Sequence, residues 1–162
     1  MVGCDDNYFL VHTCARIIMC VLMHAGFRLT NYTNSQHCTR LVSAFRAFAS
    51  AWVKSQRPSG MWSQLLNDDD TFECSSATGF GLYALATGRR MGFLNGAEID
   101  NAIKHGWQAL AGYIQVDGSV AGLSNGFGIL GSKAAYMRRT NSSLLWGYGA
   151  VLRACAAVSS MQ

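Results

Sequence analysis

Residues 56–67 read QRPSGMWSQLLN, and residues 72–77 read FECSSA. The first of these stretches holds Pro58, the only proline of the chain, and Gly60. Proline disfavours helix in the residue before it, and glycine allows a turn to follow. The pattern therefore predicts the end of one helix, a turn, a short extended segment, a polar loop and the capped start of a second helix.

The composition limits the kinds of protein that this chain can be. It has 162 residues, of which 50% are hydrophobic and 14% are charged. This fits one domain with a large core, or a domain whose apolar surface is covered by an oligomer contact or a partner. The net charge is only +4, and the basic residues are scattered, so we expect no nucleic-acid binding.

Cysteine and histidine usage gives no sign of a metal site. The six cysteines do not form a C-x-x-C pair, and the four histidines are not spaced as ligands. We therefore expect no metal and no cofactor. Unpaired cysteines in apolar sequence favour a reduced, cytoplasmic location, with secretion as the alternative.

Residues 1–39 are predicted to be a segment apart from the rest of the chain. The apolar run over residues 8–27 approaches the ~20 residues that span a bilayer. It is interrupted by Arg16, and an arginine in a membrane helix costs about 2.5–3.5 kcal/mol on insertion scales. We expect a buried helix and no membrane association. A membrane segment, or sequence foreign to the rest of the fold, remains an alternative.

The first of two similar units begins with an amphipathic helix over residues 35–54, for which Ser35 is the predicted N-cap. After the turn, residues 61–66 are predicted to be extended. Residues 67–70 read NDDD and are expected to form a solvated acidic loop, since the pattern of a calcium loop is absent.

A second helix completes this unit. Ser75 or Ser76 is its expected N-cap, and Gly88 is its expected end. It is rich in glycine and alanine, so another helix or a ligand can approach it closely.

The second unit repeats this order. An amphipathic helix is predicted over residues 97–114, an extended segment over 119–123 and a glycine-rich loop over 124–141. A last helix is expected over 144–158, capped by Ser142 or Ser143.

Gly60 and Gly118 mark the same turn in the two units, and each unit pairs a bulky helix with a thin one. Stacked helical hairpins of this kind build α/α toroids or solenoids. We therefore predict an all-α protein of stacked helical hairpins, with thin helices on the inside and a cleft at one loop end.

Residues 56–66 and 72–77 resemble a signature of glycoside hydrolase families 88 and 105, in which Q-x-x-D-G-L-W-x-Q-V-L-D precedes Y-x-E-T-S-A-T-A. Residues 88–94, GRRMGFL, are similar to the K-G-V-R-L-G-L-L of those families. Further pieces follow in the family's order at residues 107–110, 117–120, 126–128, 136 and 147–149. The resemblance covers residues 40–158 and implies that residues 40–162 are the C-terminal part of an (α/α)6 barrel.

The resemblance implies a substrate and a chemistry. Members of these families hydrolyse unsaturated glucuronyl or rhamnogalacturonyl oligosaccharides, using an aspartic acid that protonates the double bond and activates a water. The family's W-G-R-G-N-G-W segment and catalytic aspartates have no counterpart here. Asp5 and Asp6 lie in an unmatched context, so no catalytic residue is assigned and activity stays open.

Two functions follow as expectations. The first is a shortened hydrolase-like protein that acts on unsaturated uronyl oligosaccharides. The alternative is a non-catalytic helical-hairpin module that binds a sugar or a protein partner. The chain also departs from the signature, with Ser59 in place of aspartate, Cys74 in place of threonine, and residues 141–146 in place of N-D-x-H-G.

The predicted substrate-binding residues are Trp62, Gln64, Glu73, Ser76 and Arg138. An indole stacks on a pyranose ring, while amide, carboxylate and hydroxyl groups bond sugar hydroxyls. An arginine pairs with a uronate carboxylate. Each residue also has a structural alternative: packing for Trp62 and Gln64, stabilisation of a helix N-terminus for Glu73, capping for Ser76 and solvation for Arg138.

Overall fold

A computed structural model of the chain describes residues 36–124, 132–138 and 147–161. The helices of these ranges are α1 (Gln36–Lys54), α2 (Ser75–Arg90), α3 (Ala97–Ala111), α4 (Lys133–Met137) and α5 (Tyr148–Ser159). The extended segments in the same ranges form isolated antiparallel bridges and no regular strand. The predicted all-α class is confirmed.

The apolar run at residues 8–27, on which the membrane alternative rests, lies outside the described residues. Within the described part, every helix is too short or too polar to cross a bilayer.

Helix α1 forms where its apolar periodicity predicted it. Phe45, Ala49 and Trp52 are spaced by four and three residues, so they share one face, and all three are buried. The predicted N-cap Ser35 lies outside the described residues. This face of α1 packs against α2 and forms part of the central core.

The N-cap of α2 is Cys74, so the prediction of Ser75 or Ser76 was wrong. The Sγ of Cys74 accepts a hydrogen bond from the backbone N–H of Ala77, 3.5 Å away. The Ser75 hydroxyl donates instead to the carbonyl of Ala121 at 2.5 Å. The cap moves one residue earlier because Ser75 is used in a tertiary contact.

The end of α2 also differs from the prediction. The helix continues through Gly88 to Arg90, and Gly92 follows with a φ of 74°. The N–H groups of Phe93 and Leu94 donate to the Gly88 carbonyl at 2.9 and 3.1 Å. Gly92 is therefore the left-handed residue that ends the helix, and Gly88 is a packing position within it.

The thin face of α2 lies directly against α5, as its small residues predicted. A Cβ at Gly79 would lie 2.8 Å from the carbonyl carbon of Ala150. Gly81 gives the same kind of room to the Trp52 indole of α1. Helix α2 is thus packed between its partner in the first hairpin and the thin helix of the next.

The two units share one turn geometry, which confirms the repeat. In the first turn, the N–H of Gly60 donates to the Arg57 carbonyl at 2.8 Å. In the second, the N–H of Gly118 donates to the Gln115 carbonyl at 2.9 Å. Both glycines have positive φ, 94° and 82°, which L side chains rarely adopt.

Helix α3 is shorter than predicted. It ends at Ala111, since Ile114 leaves the helix to form a bridge with Val120. The bridge of the first unit joins Ser63 to Glu73 and encloses the acidic loop instead of the turn. Across the turns themselves, the N–H of Arg57 donates to the Met61 carbonyl at 3.0 Å, and the N–H of Gln115 donates to the Ser119 carbonyl at 2.7 Å. Short extended pairings thus occur at the segments predicted to be extended, residues 61–66 and 119–123.

The last part of the chain departs from the prediction at α4. Residues 133–137 form this helix where a loop was expected, and the Ser132 hydroxyl caps it by accepting from the Ala135 N–H at 3.3 Å. Helix α5 covers Tyr148–Ser159, and its predicted start at Leu144 lies outside the described residues. The predicted caps of this helix, at residues 142 and 143, lie outside the described residues.

Candidate functional site

The turns of the two hairpins lie side by side, and we call residues 55–75 and 112–124 the loop end. Ser75 joins them twice. Its backbone N–H donates to the Gly122 carbonyl at 2.9 Å, and its hydroxyl donates to the Ala121 carbonyl. The first turn of α2 is therefore fixed to the turn of the neighbouring hairpin, which gives the loop end a defined shape.

Glu73 lies at the centre of the polar contacts of the loop end. The Ser59 hydroxyl donates to its Oε1 at 2.5 Å, and the Tyr113 hydroxyl donates to its Oε2 at 2.6 Å. The Nε of Arg57 is 3.6 Å from Oε1. The Glu73 side chain keeps 23% of its surface exposed. It is thus a fixed carboxylate that solvent still reaches.

The surroundings of Glu73 favour its ionised form. Partial burial raises the pKa of the carboxyl, but the hydrogen bonds from Ser59 and Tyr113 and the charge of Arg57 outweigh burial. The pKa of Glu73 consequently lies below its ordinary value of 4.5. An ionised carboxylate accepts hydrogen bonds and donates none, so Glu73 is suited to hold a hydroxyl and not to deliver a proton.

Tyr113 is a member of this cluster that the sequence did not reveal. Burial, together with its hydrogen bond and proximity to the Glu73 carboxylate, raises its pKa from 10.0 to about 12. The two residues are 40 positions apart. Tyr113 lies just beyond the end of α3, where neither periodicity nor a motif singles it out.

Trp62 lies in the core, with 0% of its surface exposed. Its indole N–H donates to the Trp52 carbonyl at 2.7 Å. The rings of Trp52 and Trp62 are stacked, with centroids 5.7 Å apart and an interplanar angle of 29°. In the described part of the chain, Trp62 therefore anchors the extended segment to α1.

Gln64 is 5% exposed and lies two residues further along the same segment. Its backbone N–H donates to the Phe72 carbonyl at 2.9 Å. Its side-chain amide, in contrast, has no hydrogen-bond partner among the described residues, for either the oxygen or the nitrogen. A buried amide without partners costs free energy, and such a group in a folded protein calls for an explanation.

Ser76 and Arg138 lie at different parts of the surface around α2 and α4. Ser76 is half-buried in the first turn of α2, with its hydroxyl 3.2 Å from the Cys74 Sγ. Arg138 is exposed at the C-cap of α4. The structure therefore groups Glu73 with Arg57, Ser59 and Tyr113, and it buries Trp62 and Gln64.

A second charged cluster joins α4 to the acidic loop. The Nζ of Lys133 lies 2.8 Å from Asp68 and 2.7 Å from Asp70. Hydrogen bonds to the two carboxylates raise the pKa of Lys133, and the bond from Lys133 lowers the pKa of Asp68. The loop that was expected to be merely solvated thus holds α4 in place.

The described residues contain no group of three or more histidine, cysteine, aspartate or glutamate side chains that could hold a metal ion.

Stacked helical hairpins, with thin helices packed together and polar turns gathered at one end, define the α/α-toroid class of folds. Within this class the chain belongs to Glycosyl Hydrolase Family 88, whose family model matches residues 28–162. The match begins inside the segment 1–39, for which the sequence showed no counterpart.

Related proteins agree with this assignment. An unsaturated 3S-rhamnoglycuronyl hydrolase from Formosa agariphila is 32% identical over 92 residues, which cover 56% of this chain and 24% of the relative. A structure from Klebsiella pneumoniae, described as a possible member of family GH105, has a TM-score of 0.81 at 18% identity. A family 88 glycosyl hydrolase from Bacteroides vulgatus has a TM-score of 0.65 at 21% identity.

The structural alignments cover most of this chain but less than half of each matched protein. The alignment with the Klebsiella protein covers 91% of this chain but 38% of that protein, and the Bacteroides alignment covers 80% and 37%. The chain therefore spans well under half the length of the proteins that it matches. It has the helical-hairpin fold of (α/α)6-type enzymes over that part.

Proposed function

We propose that this chain supplies one wall of the sugar-binding cleft in a family 88 type hydrolase of unsaturated uronyl oligosaccharides. Family membership supports the reaction class, and the name of the Formosa relative supports an unsaturated uronyl substrate. The observation that carries the proposal is the fixed, ionised Glu73 carboxylate at the loop end.

Glu73 has the properties of a hydroxyl-binding group. Sugars present hydroxyl donors, and a carboxylate is a strong acceptor for them because charge-assisted hydrogen bonds are stronger than neutral ones. Since the side chain is already held by Ser59 and Tyr113, little conformational entropy is lost when a sugar binds.

We assign no proton-transfer role to Asp68, Glu73, Asp100 or Asp117. A general acid that works near neutral pH needs a pKa raised above the ordinary range of a carboxyl. The pKa values of Asp68, Glu73, Asp100 and Asp117 are all lowered. We therefore propose a binding and positioning role for this part of the fold.

Arg138 is the proposed partner of the uronate carboxylate. The guanidinium fork matches a carboxylate, and Arg138 is exposed at the end of α4. Arg57 and Lys133 already face carboxylates of the chain. In this proposal Glu73 binds the sugar from the loop end and Arg138 binds it from α4, while Trp62, Gln64 and Ser76 support the surrounding structure.

The test is to titrate the purified chain with an unsaturated uronyl disaccharide by calorimetry, and to follow the ultraviolet absorbance of the double bond in parallel. The proposal expects saturable binding that is weakened by Glu73→Gln and by Arg138→Gln. A decrease in absorbance would further show hydrolysis. Absence of binding, or an affinity in either variant equal to that of the wild type, would contradict the proposal.

Exposed apolar side chains favour a second candidate function, a module that binds a protein partner. Leu152 on α5 is 68% exposed, and Leu41 on α1 is 49% exposed. These are large apolar groups that the described part of the chain leaves exposed. Sedimentation over a concentration series tests this candidate, which predicts self-association or partner binding that Leu152→Gln reduces.

A further inference from the structure

We infer that Tyr113 is a positioning residue, whose hydroxyl orients Glu73 for the sugar contact. The inference rests on the proposed function. Tyr113 belongs to the turn after α3 in the second hairpin, whereas Glu73 belongs to the first hairpin. The 2.6 Å hydrogen bond between them therefore lets one hairpin set the orientation of a group on the other.

The two oxygens of Glu73 are held differently. Oε1 accepts from the Ser59 hydroxyl and lies 3.6 Å from the Nε of Arg57. Oε2 accepts from Tyr113. Each carboxylate oxygen has two acceptor positions, so Oε2 keeps one for a further donor such as a sugar hydroxyl. Because both oxygens are held, that remaining position has a fixed direction.

The ring of Tyr113 is itself held by the backbone of the same turn. Gly122 has a φ of 70°, and a Cβ there would lie 2.9 Å from the Tyr113 Cε1. The aromatic ring therefore fits closely against the glycine. A phenylalanine would occupy the same place, so Tyr113→Phe removes the hydroxyl with little change in packing.

Among residues 36–124, 132–138 and 147–161, three side chains contact the Glu73 carboxylate. Arg57 and Ser59 come from the turn after α1, and Tyr113 comes from the turn after α3. Of these, only Arg57 carries a positive charge. Loss of the Tyr113 hydroxyl should raise the pKa of Glu73, since the ionised form loses a donor, and should let the carboxylate rotate.

Sugar affinity should then fall roughly 3- to 10-fold, the range expected for one misdirected hydrogen bond. On acidification, sugar binding should weaken as Glu73 becomes protonated, and in Tyr113→Phe this should occur at a higher pH than in the wild type. If Tyr113 had only a structural role, its loss would lower stability without changing the pH at which binding weakens.

The experiment has two readouts on the wild type, Tyr113→Phe and the matched control Tyr148→Phe. The control also removes a hydroxyl that contacts the second turn, since Tyr148 accepts from the Val120 N–H at 3.3 Å. The first readout is the titration of the Glu73 side-chain carbon by NMR, assigned by its loss in Glu73→Gln. The second is calorimetric binding of an unsaturated uronyl disaccharide over a pH series.

We expect a higher titration midpoint for Glu73 and a weaker affinity in Tyr113→Phe alone. An unchanged midpoint, or an equal rise in Tyr148→Phe, would overturn the inference. If the wild type binds the sugar and Tyr113→Phe binds it with the same affinity, the positioning role is overturned and the proposed function still stands. Absence of wild-type binding would overturn the proposed function, and the positioning role with it.

Discussion

The hydroxyl of Tyr113 donates a 2.6 Å hydrogen bond to the Oε2 of Glu73, across 40 residues of sequence and from one hairpin to the next. The backbone and hydroxyl of Ser75 bond the same neighbouring turn. The loops of a helical-hairpin array can move independently unless such contacts join them. Here the joining contact includes two titratable groups, Glu73 and Tyr113. The stability of the loop end should therefore fall both at acid pH and at alkaline pH.

On the acid side, Glu73 should stabilise the fold only while it is ionised. Its pKa is lowered on folding, so its contribution is present above the ordinary value of 4.5 and is lost as the pH falls through the lower folded pKa. We expect less than about 1 kcal/mol, because the group is partly exposed. Urea unfolding of the wild type and Glu73→Gln over a pH series measures this contribution, and a difference independent of pH would contradict it.

On the alkaline side, Tyr113 should stabilise the fold while it is protonated. Its pKa rises from 10.0 to about 12 on folding, so its contribution is present below pH 10 and is lost as the pH rises through 12. The difference in tyrosinate absorbance between the wild type and Tyr113→Phe should give a midpoint near that raised value. A midpoint near the ordinary one would mean that Tyr113 is neither buried nor hydrogen-bonded to Glu73 in solution.

The contact between α2 and α5 is too close for an added methyl group at Gly79. A Cβ at Gly79 would lie 2.8 Å from backbone atoms of Ala150, which cannot move aside as a side-chain end can. We expect Gly79→Ala to destabilise the fold by about 1–3 kcal/mol. Gly149→Ala is the control, since nothing lies within 4 Å of a Cβ there, and it should be neutral or stabilising by up to about 1 kcal/mol. Equal midpoints of thermal unfolding would show that the helices are not in contact.

Much of the fold follows from local pattern, as α1 illustrates. Its apolar residues Phe45 and Trp52 recur at helical spacing, and the turn glycines Gly60 and Gly118 stand where the chain needs a positive φ. These features depend on residues close in sequence. They were therefore predictable, and so was the hairpin repeat that they define.

Other features depend on residues far apart and were missed for that reason. Whether Cys74, Ser75 or Ser76 caps α2 depends on the bond between Ser75 and Ala121, which are 46 residues apart. Helix propensity alone cannot decide between neighbouring candidates. Tyr113 has no local signal either, because its role arises from a partner on another hairpin. The sequence thus singled out Glu73, which accepts these hydrogen bonds, but not Tyr113, which donates one of them.

The attachment of α4 should be sensitive to salt. Lys133 is held by Asp68 and Asp70 near the surface, where added ions screen charge interactions. We expect Lys133→Met to increase amide hydrogen exchange across residues 133–137, and rising salt to bring the wild type toward the variant. The control is Lys104→Met on exposed α3 surface. Exchange in α4 that responds neither to Lys133→Met nor to salt would show that other contacts hold the helix.

A substitution of Gln64 can distinguish a structural role of this side chain from a role in sugar binding. Its side chain is 5% exposed, and its amide has no hydrogen-bond partner among the described residues. Methionine has a similar shape without the polar group, so Gln64→Met should stabilise the folded chain by about 1–2 kcal/mol. Denaturant unfolding measures this change.

The same variant reports on sugar binding. If the amide of Gln64 bonds a sugar hydroxyl, Gln64→Met should weaken binding of an unsaturated uronyl disaccharide while it stabilises the free chain. If Gln64 only backs the wall, the affinity should stay within about 2-fold, since no hydrogen bond to the ligand is lost. Destabilisation of the free chain by more than about 1 kcal/mol would instead mean that the amide has a partner in solution, and that its role is structural.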